Sequence, residues 1–250
     1  MDAPMSETED ASGGVSPHPV EDPLPEFVDW ILGALVALGG LLALLAGTAL
    51  VTLVDRALLE ESIDEEDVTA GTNDLTQAEA VDLAEAVVTW TGVGLLVVGI
   101  GMVAFSLWFV WRRHQAHGRA REGEPISSYL THSLLGALTT TVLSFVPLSG
   151  ILGGGLAGYL ERSDTDRVVS VGALAGVVPV VPLIVFLTFV TVGLVDGLVG
   201  VGEGGSAAVV GLAMVFAIVL MGVFGAAIGA LGGYLGGWVA ENRADKHAVD

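Results

Sequence analysis

The chain contains no cysteine, which rules out disulfides, thiolate metal sites and a cysteine nucleophile together. Lysine is nearly as scarce. Lys246 is the only one, beside eight arginines, and these nine cations face 29 acidic residues for a formal charge of -20. Also missing is any Asp, Glu, Lys or Arg in the middle of the long apolar runs. Charge buried in hydrocarbon is costly and by default marks a transport path, a proton relay or a catalytic centre. Its absence there argues against a proton-coupled pump, and Asp29, Asp55 and Asp196 are expected at span ends within reach of water or headgroups.

What is present in quantity is apolar. Hydrophobic residues make up 52% of the chain and the mean hydropathy is +0.72, where soluble domains need far more polar surface. The expectation is an all-α, polytopic transmembrane helical bundle with lipid as its solvent. Residues 1–26 have no basic segment, seven acids and five prolines, which reads as a disordered acidic tail rather than a signal peptide. The acid excess resembles the proteome bias of extreme halophiles, in whose multimolar salt the Debye length falls below ~3 Å and crowded carboxylates repel little. An acidic tail and loop with an interaction role is the competing reading.

Crossing ~30 Å of hydrocarbon takes about 20 apolar residues. Residues 27–54, 87–111, 168–195 and 206–240 qualify, the third kinked at Pro179 and Pro182. Residues 129–160 are too long for one untilted helix and are interrupted by Pro147 and Ser149. Read as a hairpin turning there, the stretch puts Arg112, Arg113, Arg119, Arg121, Arg162, Arg167, Arg243 and Lys246 on one side and only Arg56 on the other. Read as a single crossing, it splits the basic residues four to five. Basic residues favour the cytoplasm, so the hairpin is preferred. It implies about six membrane helices (five if 129–160 crosses once) in the cell membrane, with both termini cytoplasmic and Arg112, Arg113, Arg119 and Arg121 as topology anchors. The fourth, near 148–161, is short enough to be re-entrant. Four segments follow the tail: a two-helix membrane unit, 27–111, with an acidic extracellular loop, 55–86; a basic boundary, 112–128; a four-helix unit, 129–240; and a cytoplasmic tail, 241–250. In the loop, Thr76 to Glu79 form a capping-box pattern and predict one helix from about 77 to 113.

The most regular pattern is Gly225, Gly229, Gly233 and Gly237, a row four residues apart on one helix face. In lipid such rows let backbones approach and gain dispersion contacts. A second row, Gly150, Gly154 and Gly158, precedes it by 75 residues. Leu156, Tyr159 and Leu160 continue the register onto Leu231, Tyr234 and Leu235, which reads as a parallel internal repeat. Shorter rows occur at Gly39, Ala43 and Gly47 and at Gly172 and Gly176.

Chemistry is harder to find. Ser149 is the one candidate intramembrane nucleophile, and His132, the candidate base, lies near the far end of the preceding helix. His114 and His117 are crowded by arginines, which disfavours a shared metal, and with Trp108 and Trp111 they read as a snorkelling basic anchor that can meet anionic lipid headgroups. Thr139, Thr140, Thr141 and Ser144 read as structural hydrogen-bonders. No catalytic residue, cofactor or metal is expected.

Pro147, Gly150, Gly154, Gly158, Tyr159, Leu160 and Glu161, then Val171 to Gly176, then the row from Gly225 to Gly237, together resemble an uncharacterised family of haloarchaeal integral membrane proteins over residues 129–240. That resemblance implies a glycine-packed helical fold and no activity. The reading as a whole is a non-enzymatic structural or interaction scaffold, with a channel or transporter for a small solute as the alternative. Its expected partners are the lipid bilayer and a second copy docked through the glycine faces, with no nucleic acid.

Overall fold

The computed structural model describes residues 26–63, 69–70, 73–121, 129–143, 149–161 and 165–247. They form α1 (Glu26–Leu53), α2 (Arg56–Ser62), α3 (Gln77–Arg121), α4 (Tyr129–Val142), α5 (Ser149–Glu161), α6 (Thr165–Val177), α7 (Val180–Gly200) and α8 (Gly204–His247). A two-residue antiparallel ladder, Thr69–Ala70 against Asn73–Asp74, lies between α2 and α3. The acidic tail up to residue 25, Pro147 and Arg162 lie outside the described residues.

Four helices, within α1, α3, α7 and α8, are long and apolar enough to cross a membrane. The others that pack into the bundle are shorter. At 14, 13 and 13 residues, α4, α5 and α6 reach only about 20 Å, short of a full crossing. The single helix expected over 168–195 is broken at Val178 and Pro179. Prolines at 179 and 182 remove two N–H donors within four residues and disfavour helix at the residues before them, so one kinked span becomes a short helix followed by a long one. The helix expected from 77 is present and runs on to Arg121. It starts as a capping box: Thr76 donates its N–H to Glu79 Oε2 at 2.9 Å, and the Glu79 N–H returns to Thr76 Oγ1 at 3.4 Å. The last helix likewise continues through the tail to His247.

Backbone contact dominates the packing. Helices α1 and α3 run antiparallel, and a Cβ placed on Gly40 would lie 2.9 Å from the Gly99 carbonyl oxygen, one on Gly47 2.8 Å from that of Gly92. Ser106 Oγ donates to the Gly33 carbonyl at 2.6 Å. The meeting residues are therefore Gly33, Gly40 and Gly47 against Ser106, Gly99 and Gly92, spaced by seven. That period keeps one seam facing a gently crossing partner. Of the row Gly39, Ala43 and Gly47, Gly47 belongs to this seam, while Gly39 faces the end of Met102.

Helix α8 is clasped between α5, which runs parallel to it, and α6, which runs antiparallel. A Cβ on Gly154 or Gly158 would strike the carbonyls of Gly229 and Gly233, while Gly172 and Gly176 press on the same row from the other side. Helices α4 and α5 form an antiparallel pair in which a Cβ on Gly136 would lie 2.5 Å from the Gly153 oxygen.

The helices thus share two ends. The basal end holds Asp29, Arg113, Tyr129, Glu161 and Arg167. The distal end holds α2, the start of α3 and the α7–α8 turn, closed over Leu75, Ala80, Leu198 and Ala207. Among the described residues, α1, α3, α4, α5, α6 and α8 lie side by side basally; distally the long helices are α1, α3, α7 and α8, with the short α2 packed on α3.

Candidate functional site: a buried ion-pair cluster at the basal end

The first turn of α4 carries three consecutive buried polar residues, Thr131, His132 and Ser133. A buried hydroxyl or imidazole without a partner costs several kcal/mol in an apolar setting, and each of the three has one. Thr131 donates to Asp29 Oδ1 at 3.0 Å, His132 Nδ1 lies 2.9 Å from Glu161 Oε2, and Ser133 bonds back to the Tyr129 carbonyl at 2.9 Å. Glu161 also receives Arg167 Nε, and the Arg167 guanidinium stands 5.9 Å over the Tyr129 ring, whose hydroxyl reaches Ser170 at 3.1 Å. On the other side of Thr131, Asp29 pairs with Arg113 Nε at 2.9 Å.

Asp29, expected within reach of water or headgroups, is therefore enclosed, and so is Glu161. Asp29 is 2% exposed and Glu161 3%. Arg113, expected to snorkel as a topology anchor, is likewise buried at 5%, because Asp29 draws it inward. Arg112 does lie at the surface and stacks 5.2 Å from the Trp108 ring. Arg119 and Arg121 occupy the last turns of α3.

Ser149 opens α5 at the opposite end of that helix from Glu161, the residue His132 is bonded to, so the structure does not bring Ser149 and His132 together. The hydroxyls of Thr139, Thr140 and Thr141 donate to their own helix, to the carbonyls of Leu135, Gly136 and Ala137. Among the helix-packing residues, Gly150 abuts Ile228 and Gly225 abuts Gly176. Gly154 and Gly158 meet Gly229 and Gly233, and Gly237 meets Val168. Residues exactly 75 apart thus face each other, Gly154 on Gly229 and Gly158 on Gly233.

What the cluster can do chemically is hold charge. Its carboxylates are engaged by cations and by neutral donors, and it joins α1, α3, α4, α5 and α6 at one level.

Against known families, residues 130–239 match the model of a family of unknown function, DUF5518. The match runs from α4 to near the end of α8 and takes in His132, Glu161 and Arg167, while Asp29 and Arg113 fall before it. No curated protein and no solved structure matches the chain.

Proposed function

We propose that this chain is an integral membrane scaffold without enzymatic activity, a glycine-packed bundle with both termini in the cytoplasm. The observation that carries the reading is how its interior is spent. The small-residue face of α8 is filled from two sides by the backbones of α5 and α6, and the buried charges at the basal end are paired with one another. Such an interior holds a shape. The basal end is the cytoplasmic one, because Arg112, Arg113 and Arg167 lie there and Arg56 lies distally among Glu60, Asp82 and Glu85. Four of the five tryptophans, Trp30, Trp108, Trp111 and Trp238, are also on the basal portions of their helices and more than a third exposed, as an interfacial aromatic belt requires. The acid-rich composition fits a halophilic host. Because the seven zipper glycines contact the chain's own helices, a second copy would dock through the lipid-facing sides of α1 or α8.

A conduit for a small solute has one observation in its favour: α4, α5 and α6 all end partway along the bundle, near the break at Val178 and Pro179, and transporters use interrupted helices to expose carbonyls at mid-depth. Purified full-length protein in proteoliposomes separates the readings. The scaffold reading expects no flux of small ions or neutral solutes above that of empty vesicles. Saturable flux that a leucine at Gly153 abolishes would establish the conduit.

A further inference from the structure

Arg112 and Arg113 are neighbours in sequence and are used in opposite ways. Arg113 turns inward to Asp29, whereas Arg112 is exposed and its guanidinium stands 5.2 Å over the Trp108 ring. The other arginines whose surroundings are described are held by carboxylates, Arg56 by Glu60, Asp82 and Glu85, and Arg167 by Glu161. Among the described residues Arg112 meets none, in a chain with 29 acids. A guanidinium lying against an indole still offers its N–H edge to two oxygens of a phosphate.

What surrounds Arg112 decides what such an anion is attached to. Trp111 beside it is exposed, and so is Trp30, which the Asp29–Arg113 pair brings to the same level on α1; exposed indoles mark the headgroup layer. From Arg112 one face of α3 continues through Trp108, Phe105, Ala104, Gly101 and Val97. All five are exposed, and a Cβ on Gly101 would meet nothing within 4 Å. From Arg112 to Gly101 is about 16 Å along the helix, close to the ~15 Å of hydrocarbon in one leaflet. The ligand that matches carries a phosphate at one end and a long apolar chain below it. We infer that Arg112 and Trp108 form a site for an anionic phospholipid of the basal leaflet, its phosphate on the Arg112 guanidinium and an acyl chain along α3 toward Gly101. Trp108 is the positioning residue, since its ring holds the guanidinium in place. A choline headgroup brings its own cation to the phosphate and competes with Arg112; a glycerol headgroup leaves the phosphate to it. The inference rests on the membrane reading and is independent of whether the bundle is a scaffold or a conduit.

The test titrates the purified full chain in mild detergent with phosphatidylglycerol, with phosphatidylcholine of the same acyl chains and with inorganic phosphate, and weighs the bound species by native mass spectrometry. Phosphatidylglycerol is expected to bind more tightly than phosphatidylcholine, and inorganic phosphate not to displace it. Arg112→Gln should weaken phosphatidylglycerol about fivefold, the weight of one basic residue at an anionic surface, and leave phosphatidylcholine unchanged. Arg112→Lys, which keeps the charge and loses the fork, should fall between the two, and Trp108→Leu should lower the same preference by a smaller factor. Because Arg112 is exposed, its variants are expected to keep the helical circular dichroism and thermal midpoint of the parent chain. Equal affinity for the two lipids, an unchanged preference in Arg112→Gln, or displacement of phosphatidylglycerol by inorganic phosphate would each overturn the inference. A chain that stays monodisperse once detergent is removed would instead overturn the membrane reading.

Discussion

Among individual residues, Asp29 and Arg113 are the most consequential. Replacing one member of a buried pair costs about 3 to 5 kcal/mol, whereas replacing both with apolar residues of similar volume is often neutral. Asp29→Asn is therefore expected to lower the detergent unfolding midpoint sharply, and Asp29→Leu with Arg113→Met to recover most of the loss. A double variant no better than the single one would show that the pair acts through more than its mutual charge. Glu79 offers a pH test outside the spans. The Thr76 N–H, and after it the Thr76 hydroxyl, hold its carboxyl below the ordinary 4.5. A depressed carboxylate stabilises fully above its unfolded pKa and loses that contribution as pH falls through the folded one. Amide protection at Glu79 and Ala80 should accordingly be constant above the ordinary 4.5 and be lost only as pH falls below it. Protection unchanged by protonating this carboxyl would mean the capping box contributes nothing to the start of α3.

At the scale of helices, glycine position decides tolerance. Leucine at Gly40, Gly47 or Gly233 would drive a side chain into a neighbouring backbone and should cost of order 3 kcal/mol or more. Leucine at Gly101, which has nothing within 4 Å, should leave thermal stability within about 0.5 kcal/mol; a large loss there would reveal a contact outside the chain. This is also where the sequence was only partly legible. Apolar length found all four long helices, and the Thr76 box found the start of α3. The partner of α1 was not legible from its four-residue row, because the contact with α3 repeats every seven: Gly92, Gly99, Ser106 and then Arg113. Following that period would have placed Arg113 on the packing face, opposite Asp29. Glu161 was legible in the same way, since it shares a face with Gly154 and Gly158. The shortness of α5 was legible; what sequence could not supply was the depth of α4, because an apolar stretch reads the same whether it crosses lipid or lies against neighbouring helices.

For the whole molecule, orientation follows from how the helices alternate. With no native cysteine, a single cysteine at Ser163 reports one position cleanly. It should react with an impermeant thiol reagent from the cytoplasmic side only, and labelling from outside would invert or break the proposed topology. The same experiment at Thr52 should give the opposite result.

The unequal number of helices at the two ends has a mechanical meaning. Six abreast at the base and four at the far end make a wedge. Set in a bilayer, a wedge takes more area from one leaflet than from the other, and lipid must make up the difference. A chain of that form is expected to respond to the shape of the membrane around it. It should concentrate where the basal leaflet is convex, and crowding many copies together should itself bend the sheet in that direction.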